Sequence, residues 1–254
     1  MRMVTSTTLI AILLILISCQ YVYGKQNINL INTQYKLRYG YIETLGESDS
    51  YFYYNPGYSQ YVTLYIKFKI PKIKTTDPYH IMLFNKEWEY EIGIKKDTLE
   101  VDYAIQIGDN KVWAWYSTDI HLKLNTIHNL YFAWNGTNVI IIVDNITYKK
   151  QFSSSDTPIT YNSVKKFQNK EYTSKLFFGA RDVDLDNKID NFGEIRYYSI
   201  KFFNRFVEYN KINFTKPTFE ITPYKINNKE LLRIGIKSGD KIKCLQSFAL
   251  TQLL

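Results

Sequence analysis

Short apolar runs separated by turn residues dominate the chain after residue 24. The runs are rich in β-branched and aromatic residues, which are typical of strands, and helical periodicity is hard to find. The pattern predicts strands over residues 60–70, 79–85, 87–94, 99–106, 112–116, 130–134, 139–143, 175–180 and 193–203. Residues 25–59 are expected to add an edge strand. Residues 153–170 predict a long loop or a short helix over 163–169.

A three-strand meander is the clearest element of this pattern. It covers residues 127–150, where Asn135-Gly136 and Asp144-Asn145 are turn pairs between apolar strands. Around ten strands at this spacing predict an all-β fold, a two-sheet antiparallel sandwich or jelly roll over residues 25–206. Residues 207–254 predict a β-rich extension with strands over 218–222, 231–236 and 241–248. The pattern leaves open whether these strands complete the sandwich or form an appendage.

The first 24 residues have the features of a signal peptide. Arg2 precedes an apolar run over residues 9–17, and Gly24 provides a small residue before Lys25. The run is about half as long as the roughly 20 residues of a membrane span, although an uncleaved anchor is an alternative. A second alternative is a bacterial lipoprotein signal that ends at Cys19. The favoured interpretation is a secreted, extracellular protein with no membrane span.

Three N-glycosylation sequons support the secretory interpretation. They begin at Asn135, Asn145 and Asn213, and each requires an exposed position in a secreted protein. Two of them lie in the turns of the meander. We therefore expect glycans to shield that end of the domain and any ligand site to lie elsewhere.

The cysteine content limits the disulfide bonds that the mature chain can form. Signal cleavage leaves 254 − 24 = 230 residues and removes Cys19. Cys244 is then the single remaining cysteine, so no internal disulfide can form. Cys244 is therefore expected to be buried or to pair with another molecule.

The net charge of +8 becomes +7 on loss of Arg2. The basic residues are scattered along the chain, so they predict no nucleic-acid site. Lysine clusters at 72–74, 165–166 and 237–243 are either solubilising or suited to anionic glycans or membrane surfaces.

The order of the strands resembles the laminin G-like, or concanavalin A-like, β-sandwich group over residues 60–212. The resemblance rests on the segments 65–68, 81–84, 90–94, 127–145, 176–180 and 192–204. Two positions depart from the group's usual hairpin, since Ile127 replaces a Trp and Asn145 replaces a Gly. The resemblance implies a sandwich that binds glycans or proteins, or a purely structural module.

A looser resemblance connects residues 77–83 and 90–93 with the farnesoic acid O-methyltransferase-like domain of secreted proteins. The chain lacks the glycine-rich loop that a methyl donor would need. This resemblance therefore implies a second kind of binding module.

An acidic loop between two predicted strands is the sharpest polar motif. Asp182, Asp184, Asp186 and Asp190 provide alternating carboxylates of the kind that Ca²⁺ requires. The motif begins like an EF-hand loop, but Gly193 occupies the position of its bidentate glutamate. The alternatives are a looser calcium site, with Glu194 as a further ligand, and a solvated acidic turn.

Three alternating carboxylates, Glu87, Glu89 and Glu91, are expected on one face of a strand. Some retaining glycosidases with this kind of sandwich use a similar strand, in which two carboxylates lie near 5 Å apart. On a regular strand the outer two would be about 13 Å apart at Cα, so hydrolysis is the least favoured function.

Aromatic side chains provide the candidate ligand surface. Trp113 and Trp115 share one strand face, and Tyr103 is expected beside them on the neighbouring strand. Exposed rings with nearby polar groups are suited to sugars, whereas core packing is the alternative for these rings and for Trp88 and Trp134. The three histidines are too scattered to predict a metal or nucleophile site, and His128 is expected to be structural.

Together these features predict a secreted, non-catalytic module that binds glycans or extracellular proteins. The alternatives are a structural or interaction module without sugar binding, and a glycoside hydrolase. The sequence does not indicate an oligomeric state. We expect the function to depend on whether the three candidate regions, 87–91, 113–115 and 182–190, meet in one groove.

Overall fold

The computed structural model describes residues 36–38, 41–47, 50–57, 59–107, 112–152, 175–182, 189–226, 229–238 and 241–249. The strands are β1 (Lys36–Arg38), β2 (Tyr41–Leu45), β3 (Phe52–Tyr54), β4 (Val62–Lys69), β5 (His80–Lys86), β6 (Tyr90–Lys95), β7 (Glu100–Ile107), β8 (Val112–His121), β9 (Ile127–Trp134), β10 (Asn138–Val143), β11 (Ile146–Gln151), β12 (Leu176–Phe178), β13 (Arg181–Asp182), β14 (Ile189–Asp190), β15 (Glu194–Phe203), β16 (Phe219–Ile226), β17 (Lys229–Ser238) and β18 (Lys241–Ala249). A 3₁₀ turn covers Tyr209–Lys211. None of the helices found in these residues could cross a membrane.

Two antiparallel sheets form the sandwich. The large sheet has ten strands in the order β11-β10-β9-β4-β15-β16-β17-β18, with β1 and β2 attached through β15. The small sheet has six strands in the order β3-β12-β5-β6-β7-β8. This architecture confirms the predicted all-β fold, an antiparallel two-sheet sandwich of the jelly-roll type.

The core lies between the inner faces of the two sheets. Side chains alternate along each strand, so Val139, Ile141 and Val143 of β10 are buried while their neighbours are partly exposed. Trp134 is also buried in this core, as expected for a packing role. Each large apolar side chain buried in this way contributes about 1.5–3 kcal/mol to stability. The sandwich therefore has a single large core that fixes the positions of both outer faces.

The meander forms as predicted, with both turns in left-handed backbone conformations. Gly136 has φ 93°, and the pair Asp144 and Asn145 has φ 47° and 75°. The β9–β10 turn and the β10–β11 turn lie at opposite ends of β10. The expectation that both sequons shield one end of the domain is therefore wrong, because consecutive antiparallel turns face opposite ends of a sheet.

The chain after Phe203 contributes to the same sandwich. Strand β16 pairs with β15, and its Phe219 stacks on Tyr54 of β3 with 4.5 Å between ring centroids. Val207 and Ile212 pack with Tyr131 in a second apolar cluster outside the main core. Strands β17 and β18 continue the large sheet, and Cys244 lies in β18 opposite Gly235. The state of the Cys244 thiol lies outside the described side chains.

Residues 25–59 contribute three short strands, of which β3 is the predicted edge strand of the small sheet. The predicted loop or helix over 153–170 lies outside the described residues, as does the predicted signal peptide.

Candidate functional site

The outer face of the small sheet brings the candidate regions together. Strand register places Asn85, Glu91, Ala104 and Trp115 side by side across β5, β6, β7 and β8. These positions alternate with core residues such as Ile92 and therefore lie on the face away from the core.

The expected row of three carboxylates on one strand is wrong. Glu87 and Glu89 lie in the turn between β5 and β6, and only Glu91 lies in a strand. Trp88 between them has φ 60°, a left-handed conformation that is rare for a bulky residue. Because the turn interrupts the alternation of side chains, the Glu89 carboxylate does not lie beside those of Glu87 and Glu91.

Glu87 and Glu91 nevertheless meet, because both bind Arg181 of β13. The Arg181 Nε atom lies 2.9 Å from Glu87 Oε2 and 3.2 Å from Glu91 Oε2. Asn85 Nδ2 donates to the same two oxygens, at 2.9 Å and 2.6 Å. We call these four residues the carboxylate cluster. Arg181 directly precedes Asp182, so it connects the acidic loop to the Glu87–Glu91 region.

The carboxylate cluster is shielded from water. Glu87 and Glu91 are 1% and 0% exposed. Burial raises the pKa of Glu91 to about 8, against the opposing effect of Arg181. Glu91 thus tends to retain its proton near neutral pH, beside Glu87 and the guanidinium that both residues contact. Both carboxyl groups are enclosed, and neither is exposed to a substrate in this structure.

Glu89 forms a separate buried ion pair on the other side of the turn. The Lys86 ammonium donates to Glu89 and to the Gly57 carbonyl, the latter at 2.9 Å. Burial lowers the pKa of Lys86, while Glu89 counteracts this shift. The two ends of the β5–β6 turn are therefore held by two independent ionic contacts.

An open pocket lies on the same face, beside the carboxylate cluster. We call it the aromatic pocket; its volume is about 340 Å³, and it is lined by Pro78, Tyr79, His80, Lys95, Lys96, Asp97 and Asp102. The Tyr79 side chain is 72% exposed. An exposed ring beside charged and polar groups has the composition of a site that binds a partly apolar, hydroxylated ligand.

The turn that carries Tyr79 is fixed by Asp77. Asp77 Oδ1 accepts hydrogen bonds from the backbone nitrogens of Tyr79 at 2.6 Å and His80 at 2.7 Å. The charge of Asp77 also acts on Glu91 and Arg181, which indicates that the turn lies close to the carboxylate cluster. The aromatic pocket and the cluster are neighbours on one face.

His80 forms the inner wall of the aromatic pocket. Its ring stacks on Trp115 with 4.4 Å between centroids and 12° between planes. A Cβ atom at Gly93 would lie 3.1 Å from the His80 side chain, so glycine leaves the space that the imidazole occupies. Trp115 is partly exposed on the outer face. Trp115 thus lies outside the core.

Asp102 is a buried carboxylate in the lining of the aromatic pocket. It is 3% exposed. Its Oδ2 lies 3.3 Å from His80 Nε2, and its Oδ1 lies 3.5 Å from Lys95 Nζ. No described residue donates a hydrogen bond to Oδ1. Lys95 is the cation that faces this buried oxygen, so Asp102 contributes negative charge to the pocket lining.

The expected position of Tyr103 beside the two tryptophans is wrong. Tyr103 pairs with Tyr116 and is fully buried in the core, whereas Trp115 pairs with Ala104 on the opposite face. The prediction placed all three rings together, but neighbouring residues of adjacent strands share a face only in matching register. Trp113 pairs with Gln106 in the backbone of β8, and its side chain lies outside the described residues.

The acidic loop joins the same region through its two ends. Arg181 pairs with Asp190 and Asp182 with Ile189 in the β13–β14 ribbon. Phe192, two residues after Asp190, exchanges hydrogen bonds with Thr76, next to the Asp77 turn. Asp184 and Asp186 lie outside the described residues, as does the side chain of Asp182. The calcium site therefore stays a prediction, and no three-residue metal group occurs in the described part.

The other sequence candidates have structural contacts. His128 is 4% exposed, and its Nδ1 lies 2.5 Å from Asp144 Oδ2, which agrees with its expected structural role. Lys72 and Lys74 pair with Glu194 and Glu47 rather than forming a free basic patch. Asn145 and Asn213 are exposed, and Asn135 is partly exposed.

Sequence reasoning missed the central residues of the aromatic pocket. His80, Asp102 and Lys95 come from three strands, and no local spacing connects them. Gly93 is the one local signal, since a glycine inside a strand often marks the close approach of another group. Arg181 likewise has no sequence signal that links it to Glu87.

Comparisons with known proteins find distant structural similarity but no related sequence. No protein-family model matches the chain, and no curated protein sequence does. Among solved structures, a botulinum neurotoxin type G receptor binding domain is 10% identical with a TM-score of 0.47, over 86% of this chain and 65% of that one. The chain thus spans about two thirds of that domain.

Two further solved structures are similar at the same level. A botulinum neurotoxin type C structure, described as dependent on two ganglioside molecules for cell entry, is 10% identical with a TM-score of 0.48 over 82% of this chain and 68% of that one. A SAP-like pentraxin from Limulus polyphemus is 8% identical with a TM-score of 0.44 over 70% of this chain and 82% of that one. Similarity this distant assigns no ligand to the chain.

Proposed function

We propose that this protein is a non-catalytic recognition module that binds carbohydrate in the aromatic pocket. The observation that carries the proposal is the exposed Tyr79 ring in an open pocket whose lining includes the Asp102 carboxylate. Sugars offer an apolar C–H face and several hydroxyl donors, which match a ring and a carboxylate respectively.

The pocket geometry supports a pre-formed site. Asp77 holds the turn before β5, and the His80–Trp115 stack holds the inner wall. A ligand would therefore bind without paying for much side-chain ordering, which improves affinity for a small contact area. Secretion and N-glycosylation at Asn135, Asn145 and Asn213 belong to the same proposal, since they would place the module where glycans occur.

Hydrolysis is the weaker alternative because of the carboxylate cluster. A glycosidase needs two carboxyl groups that reach the scissile bond. Glu87 and Glu91 are instead buried and share the donors Arg181 and Asn85. A structural or protein-binding role without sugar recognition is the remaining alternative.

A glycan array tests the proposal with three proteins. Wild type, Tyr79→Ala and Phe214→Ala are compared at equal concentration; Phe214 is a matched control because it is 90% exposed and lies outside the pocket. We expect wild type and Phe214→Ala to bind the same glycans and Tyr79→Ala to lose them. Absence of binding by folded wild type would favour the structural or protein-binding role, and release of reducing ends from a bound glycan would favour hydrolysis.

A further inference from the structure

A second pocket lies on the large sheet, outside the proposed carbohydrate site. We call it the charged pocket; its volume is about 340 Å³, which is in the range of small-molecule sites. It lies between the end of β2, the loop that joins β4 to β5 and the start of β15, and it shares no described lining residue with the aromatic pocket. Apart from Leu45, the described residues of its lining are all charged: Glu43, Glu47, Glu194, Lys72, Lys74 and Arg196.

Arg196 is held in the charged pocket by only part of its guanidinium group. Its Nε donates to Glu43 Oε1 at 2.5 Å, and the centroid of the Tyr41 ring lies 5.2 Å from its Cζ. Neither terminal nitrogen of Arg196 donates a hydrogen bond within the described part of the chain, and neither is enclosed. The N–H groups of a guanidinium form a planar fork that matches a carboxylate. Arg196 therefore has a fixed position and a free edge for an anionic group.

Glu194 provides the opposite charge from the same strand. It is 8% exposed, and the cation that it contacts is Lys72, whose Nζ lies 3.4 Å from Oε2. This distance is long for a charge-assisted hydrogen bond. The Lys72 side chain is 65% exposed, and ion pairs with so exposed a lysine are weak. The cation of a ligand can therefore replace Lys72 at Glu194.

The spacing of Glu194 and Arg196 limits the ligand. They are two residues apart on β15, so their side chains lie on one face and their Cα atoms are about 7 Å apart. No ion pair joins the two side chains directly in the described residues. A ligand between them needs room for two charge-assisted hydrogen bonds of about 2.7–2.9 Å each. Its own two charges must therefore lie close together.

The backbone around the charged pocket is fixed before a ligand binds. The Glu194 nitrogen donates to the Lys74 carbonyl at 2.9 Å, which connects β15 to the loop between β4 and β5. Gly46 has φ 62°, and a Cβ atom there would lie 2.6 Å from the same Lys74 oxygen. Glycine therefore allows the end of β2 to close against this loop. A frame fixed in this way lowers the ordering cost of binding.

We infer that the charged pocket binds a free α-amino acid. The carboxylate of the ligand binds the free edge of Arg196, and its ammonium group replaces Lys72 at Glu194. An α-amino acid carries both charges on one carbon, so it fits the short gap between the two side chains. It also adds no net charge to a lining in which three carboxylates balance three cations. The site is separate from the proposed carbohydrate site and does not depend on it.

Changes to the ligand test this inference without altering the protein. Thermal unfolding of the full chain is followed with each free amino acid at millimolar concentration, in calcium-free buffer because Glu194 is also a candidate calcium ligand. The most stabilising amino acid is then titrated by calorimetry beside its N-acetyl derivative, its methyl ester and γ-aminobutyrate. We expect the free amino acid to raise the thermal midpoint. The three other compounds should bind at least about tenfold more weakly, because each loses one charge or separates the two.

Substitutions in the protein assign the contacts. Arg196→Lys keeps a cation for the buried Glu43 but loses the guanidinium fork, and Glu194→Gln removes the counter-charge for the ammonium group. Both variants should bind at least about tenfold more weakly than wild type. Lys72→Gln should bind about two- to fivefold more tightly, since it removes the competing cation. Lys149→Gln, at an exposed lysine outside the charged pocket, is the control and should bind like wild type.

The outcomes either support or overturn the amino-acid site. A ligand that stabilises wild type but neither Arg196→Lys nor Glu194→Gln supports it. Absence of stabilisation by every amino acid overturns it, as does equal binding of the N-acetyl derivative or the methyl ester. Wild-type affinity in both variants places the ligand elsewhere and also overturns it. The glycan array tests the proposed function separately, so either conclusion can fail without the other.

Discussion

The imidazole of His80 lies flat against the indole of Trp115, with 4.4 Å between the ring centroids. This contact joins the start of β5, next to the Asp77 turn, to β8. Strands β6 and β7 lie between these two strands in the small sheet. The contact also explains why Trp115, a residue on an outer sheet face, is only partly exposed. The stack is the structural basis for a rigid pocket wall.

Substitution of Gly93 by alanine should disturb this wall. The new Cβ would lie 3.1 Å from three atoms of His80, closer than ordinary van der Waals contact. We expect Gly93→Ala to lower the free energy of unfolding by about 1–3 kcal/mol in urea denaturation, the usual cost of overpacking. In the His80→Ala background the same change should cost less than half as much. Equal costs in both backgrounds would show that His80 is not the residue that Gly93 accommodates.

Removal of the Arg181 guanidinium should destabilise the protein. Arg181→Met leaves Glu87 as a buried carboxylate without its cation, which we expect to cost about 3–5 kcal/mol in urea denaturation. Arg205→Met is the matched control, since Arg205 is exposed, and should change stability by less than about 0.5 kcal/mol. Adding Glu87→Gln to Arg181→Met should recover part of the loss. A small effect of Arg181→Met, similar to the control, would contradict the assigned contacts.

Glu91 should make stability fall as the pH rises. Its pKa is raised by burial from 4.5 to about 8, so between these values the unfolded state has released a proton that the folded state retains. The contribution is fully present below pH 4.5 and is lost up to pH 8, with a slope of at most about 1.4 kcal/mol per pH unit. We expect Glu91→Gln to remove this decline in urea denaturation between pH 5 and pH 8. A variant curve parallel to that of wild type would be incompatible with a protonated Glu91.

Calcium should raise the thermal midpoint if the acidic loop binds it. Asp182 and Asp190 lie on β13 and β14, and the loop that they flank carries Asp184 and Asp186. Binding to the folded state alone adds stability that grows with the ratio of calcium to its dissociation constant. We expect millimolar calcium to raise the midpoint by at least about 2 °C, and Asp184→Asn with Asp186→Asn to abolish the shift. An unchanged midpoint in wild type would identify the loop as a solvated acidic turn.

The fold was largely predictable from the sequence because strand period and turn chemistry are local. Asn135-Gly136 and Asp144-Asn145 identify their turns directly, and β-branched runs identify the strands between them. The left-handed Trp88 was not predictable, since the contacts of Lys86 and Arg181 that hold its turn come from tertiary structure.

The candidate site was less predictable because it depends on register. A shift of one residue between β7 and β8 decides whether Trp115 lies beside Tyr103 or beside Ala104. Sequence spacing reveals the period of each strand but not this offset. Asp102 and His80, which line the aromatic pocket, come from different strands and were identified only from the sheet register.

The affinity of Asp102→Asn for the strongest array glycan, measured by isothermal titration calorimetry at pH 7.5, tests the central proposal most directly. Asparagine keeps the size of the side chain but loses the carboxylate charge and one acceptor oxygen. Glu208→Gln, a change of an exposed carboxylate outside the pocket, is the control. The account predicts at least tenfold weaker binding by Asp102→Asn, about 1.4 kcal/mol, with unchanged affinity in the control. Wild-type affinity in folded Asp102→Asn would contradict carbohydrate recognition by the aromatic pocket.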